Sequence, residues 1–182
     1  PGGNIGKDLV KLSDIMHIKN IDRKRISEYI KKYPNATFHK NKTPWEVSCD
    51  IALPCATQNE VNGTEAQMLV DNNVLAVAEG ANMPCTPEAV EVFHKNGVMF
   101  APGKASNAGG VATSGLEMSQ NSLRMGWTRE EVDAKLDNIM VNIHKNAAET
   151  AEKYGRPGDY VFGANVAGFL KIAEAMEAHG VV

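Results

Sequence analysis

The spacing of apolar residues changes along this chain, and each change marks a different kind of element. Over residues 7–32, Leu9, Leu12, Ile15, Ile26 and Ile30 recur every three or four positions, which predicts amphipathic helices over 7–19 and 22–32, broken near Asn20. Pro34 ends that pattern, and 36–38 reads as a short strand. From residue 50, short apolar runs alternate with helical stretches. Residues 50–53 stop at Pro54, 74–78 form a second run, and 98–101 a third that stops at Pro102-Gly103. Between them, Asn62 followed by Glu65 is a variant of the capping box, and Thr86-Pro87-Glu88 reads as cap, first turn and first acidic residue of a helix stopped by Gly97. Short apolar strands alternating with helices predict βαβ units and a parallel sheet.

After Gly103 the pattern is helical throughout. Residues 107–124 are rich in Gly and Ala at first and then helical. Thr128 with Glu131 opens a long helix whose apolar face holds Val132, Leu136, Ile139, Met140, Ile143 and Ala147, ending near Tyr154-Gly155. A last helix carries Val166, Phe169, Leu170, Ile172, Ala173 and Met176 and stops at Gly180. The expected fold is therefore α/β: a partial, Rossmann-like parallel sheet of about three to four strands with helices on both faces, then a segment of long helices. The expected division is 1–124 for the sheet-bearing part and 125–182 for the helical segment.

With 43% hydrophobic and 23% charged residues, the chain has the composition of a globular protein. No apolar stretch approaches the ~20 residues of a membrane span. No basic region precedes an apolar run at the start, and the opening Pro1-Gly2-Gly3 without methionine suggests a piece of a longer chain. Residues 1–42 hold ten Lys and Arg against four Asp and Glu, while the remainder holds nine against eighteen. Arg23-Lys24-Arg25 and Lys31-Lys32 lie on amphipathic helices and read as solvated faces, so no nucleic-acid partner is expected. Cys49, Cys55 and Cys85 are odd in number and lack a Cys-x-x-Cys pair, which favours a reduced, cytoplasmic setting without a disulfide framework or zinc site.

Ligands of open α/β sheets sit beyond the carboxyl ends of the strands. The three such ends here continue as Pro54-Cys-Ala-Thr-Gln-Asn59, Glu79-Gly-Ala-Asn82 and Pro102-Gly-Lys-Ala-Ser-Asn-Ala-Gly-Gly110. Tiny residues let a ligand approach the backbone, and amides offer both donor and acceptor. The loops suit a nucleotide crevice, and composition alone fits ordinary surface loops equally well. The Gly-x-Gly-x-x-Gly fingerprint is absent, and Gly2-Gly3-Asn-Ile-Gly6 has a different spacing and no strand before it. Gly109-Gly110 could serve an anion or close helix packing. Lys104 is read as a solvated or ion-paired lysine rather than a base. Ser114 has no His at a hydrolase spacing, and the five His residues show no ligand spacing.

The same loops carry a family resemblance. Cys49-Asp-Ile-Ala-Leu-Pro-Cys-Ala-Thr-Gln-Asn-Glu60, Ala78-Glu-Gly-Ala-Asn-Met-Pro84 and the run from Ala101 through Val111-Ala-Thr-Ser114 to Asn121 resemble hexameric glutamate dehydrogenases, as does Gly163-Ala-Asn-Val-Ala-Gly-Phe169. The wording is most similar to the NADP-type branch. The resemblance implies reversible oxidative deamination of L-glutamate to 2-oxoglutarate and ammonia with NADP, or NAD, as hydride carrier. It implies that Ser114 hydrogen-bonds the substrate side-chain carboxylate and Val111 lines that pocket. Asn82 would face the nicotinamide ribose, Asn107 the nicotinamide end, and Ala56 and Thr57 the adenosine side. No catalytic residue is expected within the chain, because the family's catalytic lysine and aspartate belong to a preceding substrate domain. The Gly-rich first βα unit would also precede it. The whole protein is expected to be a homo-hexamer and this part alone monomeric and inactive. Two other readings stay open: a non-catalytic dinucleotide-binding module, and a sister leucine- or phenylalanine-type dehydrogenase.

Overall fold

A computed structural model describes residues 11–180, and these fall into two compact units divided between Ser48 and Cys49. The first unit is built from short pieces. Helix α1 (Leu12–Met16) runs directly into one π-helical turn, His17–Ile21. A 3-10 turn, Ile26–Glu28, leads into α2 (Tyr29–Lys32), and a second 3-10 turn spans Pro44–Glu46. The predicted break near Asn20 lies instead after Asp22, where Arg23 takes a left-handed backbone (φ +52°). The predicted strand over 36–38 does not form: Pro34 precedes it and no strand pairs with it among the described residues, so the segment stays irregular. The expected start of the first helix at 7–10, with Leu9, and the Gly2–Gly6 spacing lie outside the described residues.

The second unit contains the sheet. Strands β1 (Ile51–Ala52), β2 (Ala76–Ala78) and β3 (Met99–Ala101) are all parallel and adjacent in chain order. They are joined by α3 (Gly63–Asp71) and α4 (Pro87–Lys95) as two βαβ units. Both helices begin where the sequence predicts. Asn62 accepts from the N–H groups of Thr64 and Glu65 while Glu65 accepts from Asn62, and Thr86 accepts from Ala89. Register aligns Ala52, Val77 and Phe100. All three are buried, and Phe100 stacks on Phe93 of α4 with ring centroids 5.7 Å apart. Val61, Ala66, Leu69 and Ala89 complete this core. Each large apolar side chain so removed from water stabilises the unit by roughly 1.5–3 kcal/mol. The neighbouring register row carries Ile51 and Met99, 60% and 59% exposed.

Beyond β3 come α5 (Gly103–Ser106), α6 (Gly109–Leu123), α7 (Arg129–Lys153) and α8 (Tyr160–His179). Residues 107–124 are helical from Gly109 on, as expected, with a turn at Asn107-Ala108 between α5 and α6, and α6 ends at Arg124 in a left-handed turn (φ +54°). The capping box of Thr128 and Glu131 forms as predicted, and Asp159 caps α8 through the N–H of Phe162. Helices α7 and α8 meet closely at Gly163, where a Cβ would lie 2.0 Å from the carbonyl oxygen of Ala147 and 3.1 Å from the Ala151 methyl. Helix α8 also reaches β3, so the helical segment is packed onto the sheet-bearing part. The architecture is thus α/β with a three-stranded parallel sheet and long carboxy-terminal helices.

Candidate functional site

The three turns that follow β1, β2 and β3 lie side by side because their backbones are laced together. Gly80 and Ala81 donate to the carbonyl of Pro54 at 2.9 and 3.3 Å, and Asn59 donates to Met83 at 3.0 Å. Val61 and Cys85 form a parallel bridge, with Val61 donating to Pro84 and Thr86 donating back to Val61. Ser106 donates its hydroxyl to the Glu79 carbonyl at 2.6 Å, which ties the third turn to the second. Asn59 and Met83 both adopt left-handed backbone (φ +57° and +50°), an uncommon state for residues with a side chain and a costly one for a bulky residue.

Two glycines make this lacing possible. A Cβ at Gly80 would lie 2.3 Å from the Cys55 sulfur, and one at Gly103 would lie 2.9 Å from the carbonyl oxygen of Ala81. Glu79, 6% exposed, is the buried charged residue at their centre. Its carboxylate accepts from the N–H of Cys85 at 3.1 Å and of Gly103 at 2.5 Å. Burial, reinforced by this neighbouring carboxylate, pushes the Cys85 thiol far above its ordinary value, so it stays protonated and inert.

Of the residues singled out from the sequence, Asn82 and Asn107 are brought together. The Asn107 amide donates to the Asn82 Oδ1 at 2.7 Å and to the carbonyl of Ala81 at 3.0 Å. That leaves the Asn107 Oδ1 and the Asn82 Nδ2 without partners among the described residues, one acceptor and one donor at a single joint. Ala56 and Thr57 are exposed in the first turn, where the Ala56 N–H donates to Glu60. Val111, 74% exposed, and Ser114 are neighbours at i, i+3 spacing on α6. Thr113 and Ser119 of the same helix return their hydroxyls to carbonyls four residues back. Ser114 makes no such bond among the described residues and is free to serve something else. No hydrogen bond links Val111 or Ser114 to the asparagine pair.

Gly109 and Gly110 are not required by helix packing: a Cβ at Gly109 would meet Met140 and Leu136 only at 3.9 and 4.0 Å, and one at Gly110 would meet nothing. Lys104 donates to Asn165 of α8, so it is hydrogen-bonded rather than poised as a base. Among the described residues no cluster of three His, Cys, Asp or Glu is placed to hold a metal, and no helix is long and apolar enough to cross a membrane. The three cysteines are free thiols. The residue that sequence reading passed over is Glu79. Its signal was present, as a lone carboxylate directly behind an apolar strand in a turn of small residues.

Comparison with known proteins places this arrangement. The family described as Glutamate/Leucine/Phenylalanine/Valine dehydrogenase matches residues 2–180. The chain is 56% identical over 180 residues to an NAD(P)-specific glutamate dehydrogenase of Xylanibacter ruminicola, covering 97% of this chain and 39% of that protein. It is 54% identical over 175 residues to an NADP-specific glutamate dehydrogenase of Giardia intestinalis, covering 94% and 39%. A crystal structure of Plasmodium falciparum glutamate dehydrogenase superposes with a TM-score of 0.88 at 46% identity, over 93% of this chain and 37% of that one. The chain thus spans about two fifths of the length of these relatives. Matched along nearly all of its length and laced at the same loops that carry the resemblance, the chain belongs to the Glutamate/Leucine/Phenylalanine/Valine dehydrogenase family.

Proposed function

We propose that this chain is the carboxy-terminal, dinucleotide-binding part of an NADP-dependent glutamate dehydrogenase, which interconverts L-glutamate with 2-oxoglutarate and ammonia. The observation that carries this reading is the Asn82–Asn107 pair, two amides, hydrogen-bonded at the joint of two strand-end turns, that keep one donor and one acceptor unspent. That pairing fits a carboxamide or a ribose diol, each of which both gives and takes a hydrogen bond. Gly80 and Gly103 keep the turns low enough for close approach. When bound, the dinucleotide supplies the hydride acceptor or donor. This chain's own residues bind and orient. Asn82 takes the ribose, Asn107 the nicotinamide end, and Ala56 and Thr57 border the adenosine side. Ser114 offers its free hydroxyl to the substrate's side-chain carboxylate beside Val111.

In this reading residues 1–124 complete a Rossmann-like domain and 125–182 form the helical segment behind it. NADP is favoured over NAD by the names of close relatives, several of which are NADP-specific. A cytoplasmic homo-hexamer is the assembly the family resemblance supports. The test is a steady-state assay of the full-length protein. NADPH oxidation is expected only with 2-oxoglutarate and ammonium together, and absence of turnover with either dinucleotide refutes the reading. Ser114→Ala is expected to lower kcat/KM for glutamate by about 100-fold and far less for norvaline, since a site built around a polar group discriminates strongly. Equal losses for both substrates would assign Ser114 no part in specificity.

A further inference from the structure

The Glu79 carboxylate stands among buried groups. Among the described residues no lysine, arginine or histidine forms an ion pair with it, and it is held by N–H and thiol donors alone. Taking a charge out of water without a counter-charge is costly, and such a group persists where its geometry is needed. What the geometry does here can be followed bond by bond. One carboxylate oxygen closes the second turn on itself through the N–H of Cys85; the other docks that turn on the first N–H of α5 at Gly103. One helical turn later, Asn107 donates its N–H to the Gly103 carbonyl at 2.9 Å, which sets its side chain over Ala81 and Asn82. The two strand-end turns are therefore pinned by Glu79 to Gly103 at one end, by Asn107 to Ala81 and Asn82 at the other, and by the Ser106 hydroxyl to the Glu79 carbonyl between them.

We infer that Glu79 is a positioning residue for the dinucleotide site: its carboxylate fixes α5 against the second turn so that the Asn82–Asn107 pair presents its free acceptor and donor together. This rests on the dinucleotide reading given above. A glutamine of the same shape cannot replace it, because one of its two terminal atoms is a donor and would face a backbone N–H. A shift of α5 by the resulting few tenths of an ångström would separate the asparagines and spoil the site while leaving the buried Phe93–Phe100 core untouched.

The experiment uses the full-length dehydrogenase, with NADPH affinity followed by titration of the nucleotide's fluorescence. Glu79→Gln is expected to keep its circular dichroism and native mass. It should weaken NADPH binding about tenfold, the effect of leaving one buried donor without its acceptor. The KM for NADPH should rise with it, while kcat and the KM for 2-oxoglutarate move by less than about threefold. In an Asn107→Ala background, which already weakens NADPH, the same change should cost little more, since residues acting through one another are not additive. Unchanged NADPH affinity in Glu79→Gln, or losses that simply add, would overturn the role assigned to Glu79. If Glu79→Gln does not fold, Glu79→Asp is measured instead; it keeps the charge at shorter reach and should show a several-fold loss, and wild-type affinity would overturn the proposal. Undiminished NADPH binding in Asn107→Ala alone would instead remove the dinucleotide reading, and this inference with it.

Discussion

The two compact units began with similar sequence signals and turned out differently. Residues 11–48 show apolar residues at helical spacing, yet their helices are four and five residues long, with no side-chain caps at α1 or α2. Residues 49–180 hold helices of up to 25 residues; α3, α4, α7 and α8 start at the caps Asn62, Thr86, Thr128 and Asp159, while α5 and α6 start without one. Burial follows the same division. The second unit buries Phe93, Leu69 and Val77 almost completely, whereas the first buries Ile18 and Trp45 and leaves Leu12, first residue of α1, 68% exposed. The first unit adds polar and aromatic contacts near its surface: Asp14 accepts from Lys32 and from the Tyr33 hydroxyl, and Tyr29 stacks on Tyr33. Periodicity alone does not stabilise a helix. Most helical stability in proteins comes from packing against neighbouring elements, and a side-chain cap adds to it.

That contrast can be tested from its strongest consequence down. Phe93→Ala removes a fully buried ring stacked on Phe100 and should cost about 4 kcal/mol of unfolding free energy by denaturant titration, whereas Leu12→Ala should stay within about 0.5 kcal/mol. Similar losses at the two sites would erase the distinction. Removing a cap is the intermediate case. Thr128→Ala breaks the capping box of α7 and should cost about 1 kcal/mol, with Thr128→Ser restoring most of it.

The smallest effect belongs to the polar cluster of the first unit. Hydrogen bonds from Lys32 and Tyr33 hold the Asp14 carboxyl below its ordinary value, and the same contact raises the Tyr33 hydroxyl to about 12. A lowered carboxyl stabilises the folded form at pH values above the unfolded pKa near ~4 and loses that contribution as pH falls through the folded value. A raised tyrosine does the reverse: its contribution is whole below ~10 and is lost as pH climbs through about 12. Side-chain carbon NMR titration should show Asp14 ionising below a free aspartate and Tyr33 above a free tyrosine. Ordinary values for both would mean that the cluster does not hold.

Where the signal is local, the fold and site could be read in advance. The capping box at Asn62, the Thr86-Pro87 start, the Gly97 stop (φ +69°) and the Thr128 box each depend on residues within a few positions, and each forms as the spacing predicts. The strand-end turns were visible for the same reason, since Pro and Gly stop a strand wherever it lies. The strand expected over 36–38 was not decided by its own residues, because a strand needs a neighbour to pair with and none pairs with it among the described residues. The turn at Asn107 between α5 and α6 likewise carries a side chain bound to Ala81 and Asn82, 26 and 25 residues away.

The sequence by itself determined where helices start, where strands stop and which turns are made of small residues, because those choices are settled by backbone sterics and hydrogen bonds within one turn of chain. Only the tertiary structure decided that Glu79 would reach Gly103, 24 residues on, and that Asn82 and Asn107 would share one hydrogen bond. Such contacts depend on parallel strands being brought into register by their crossover helices, and the gain comes from burying Ala52, Val77 and Phe100 together rather than from any residue at the site.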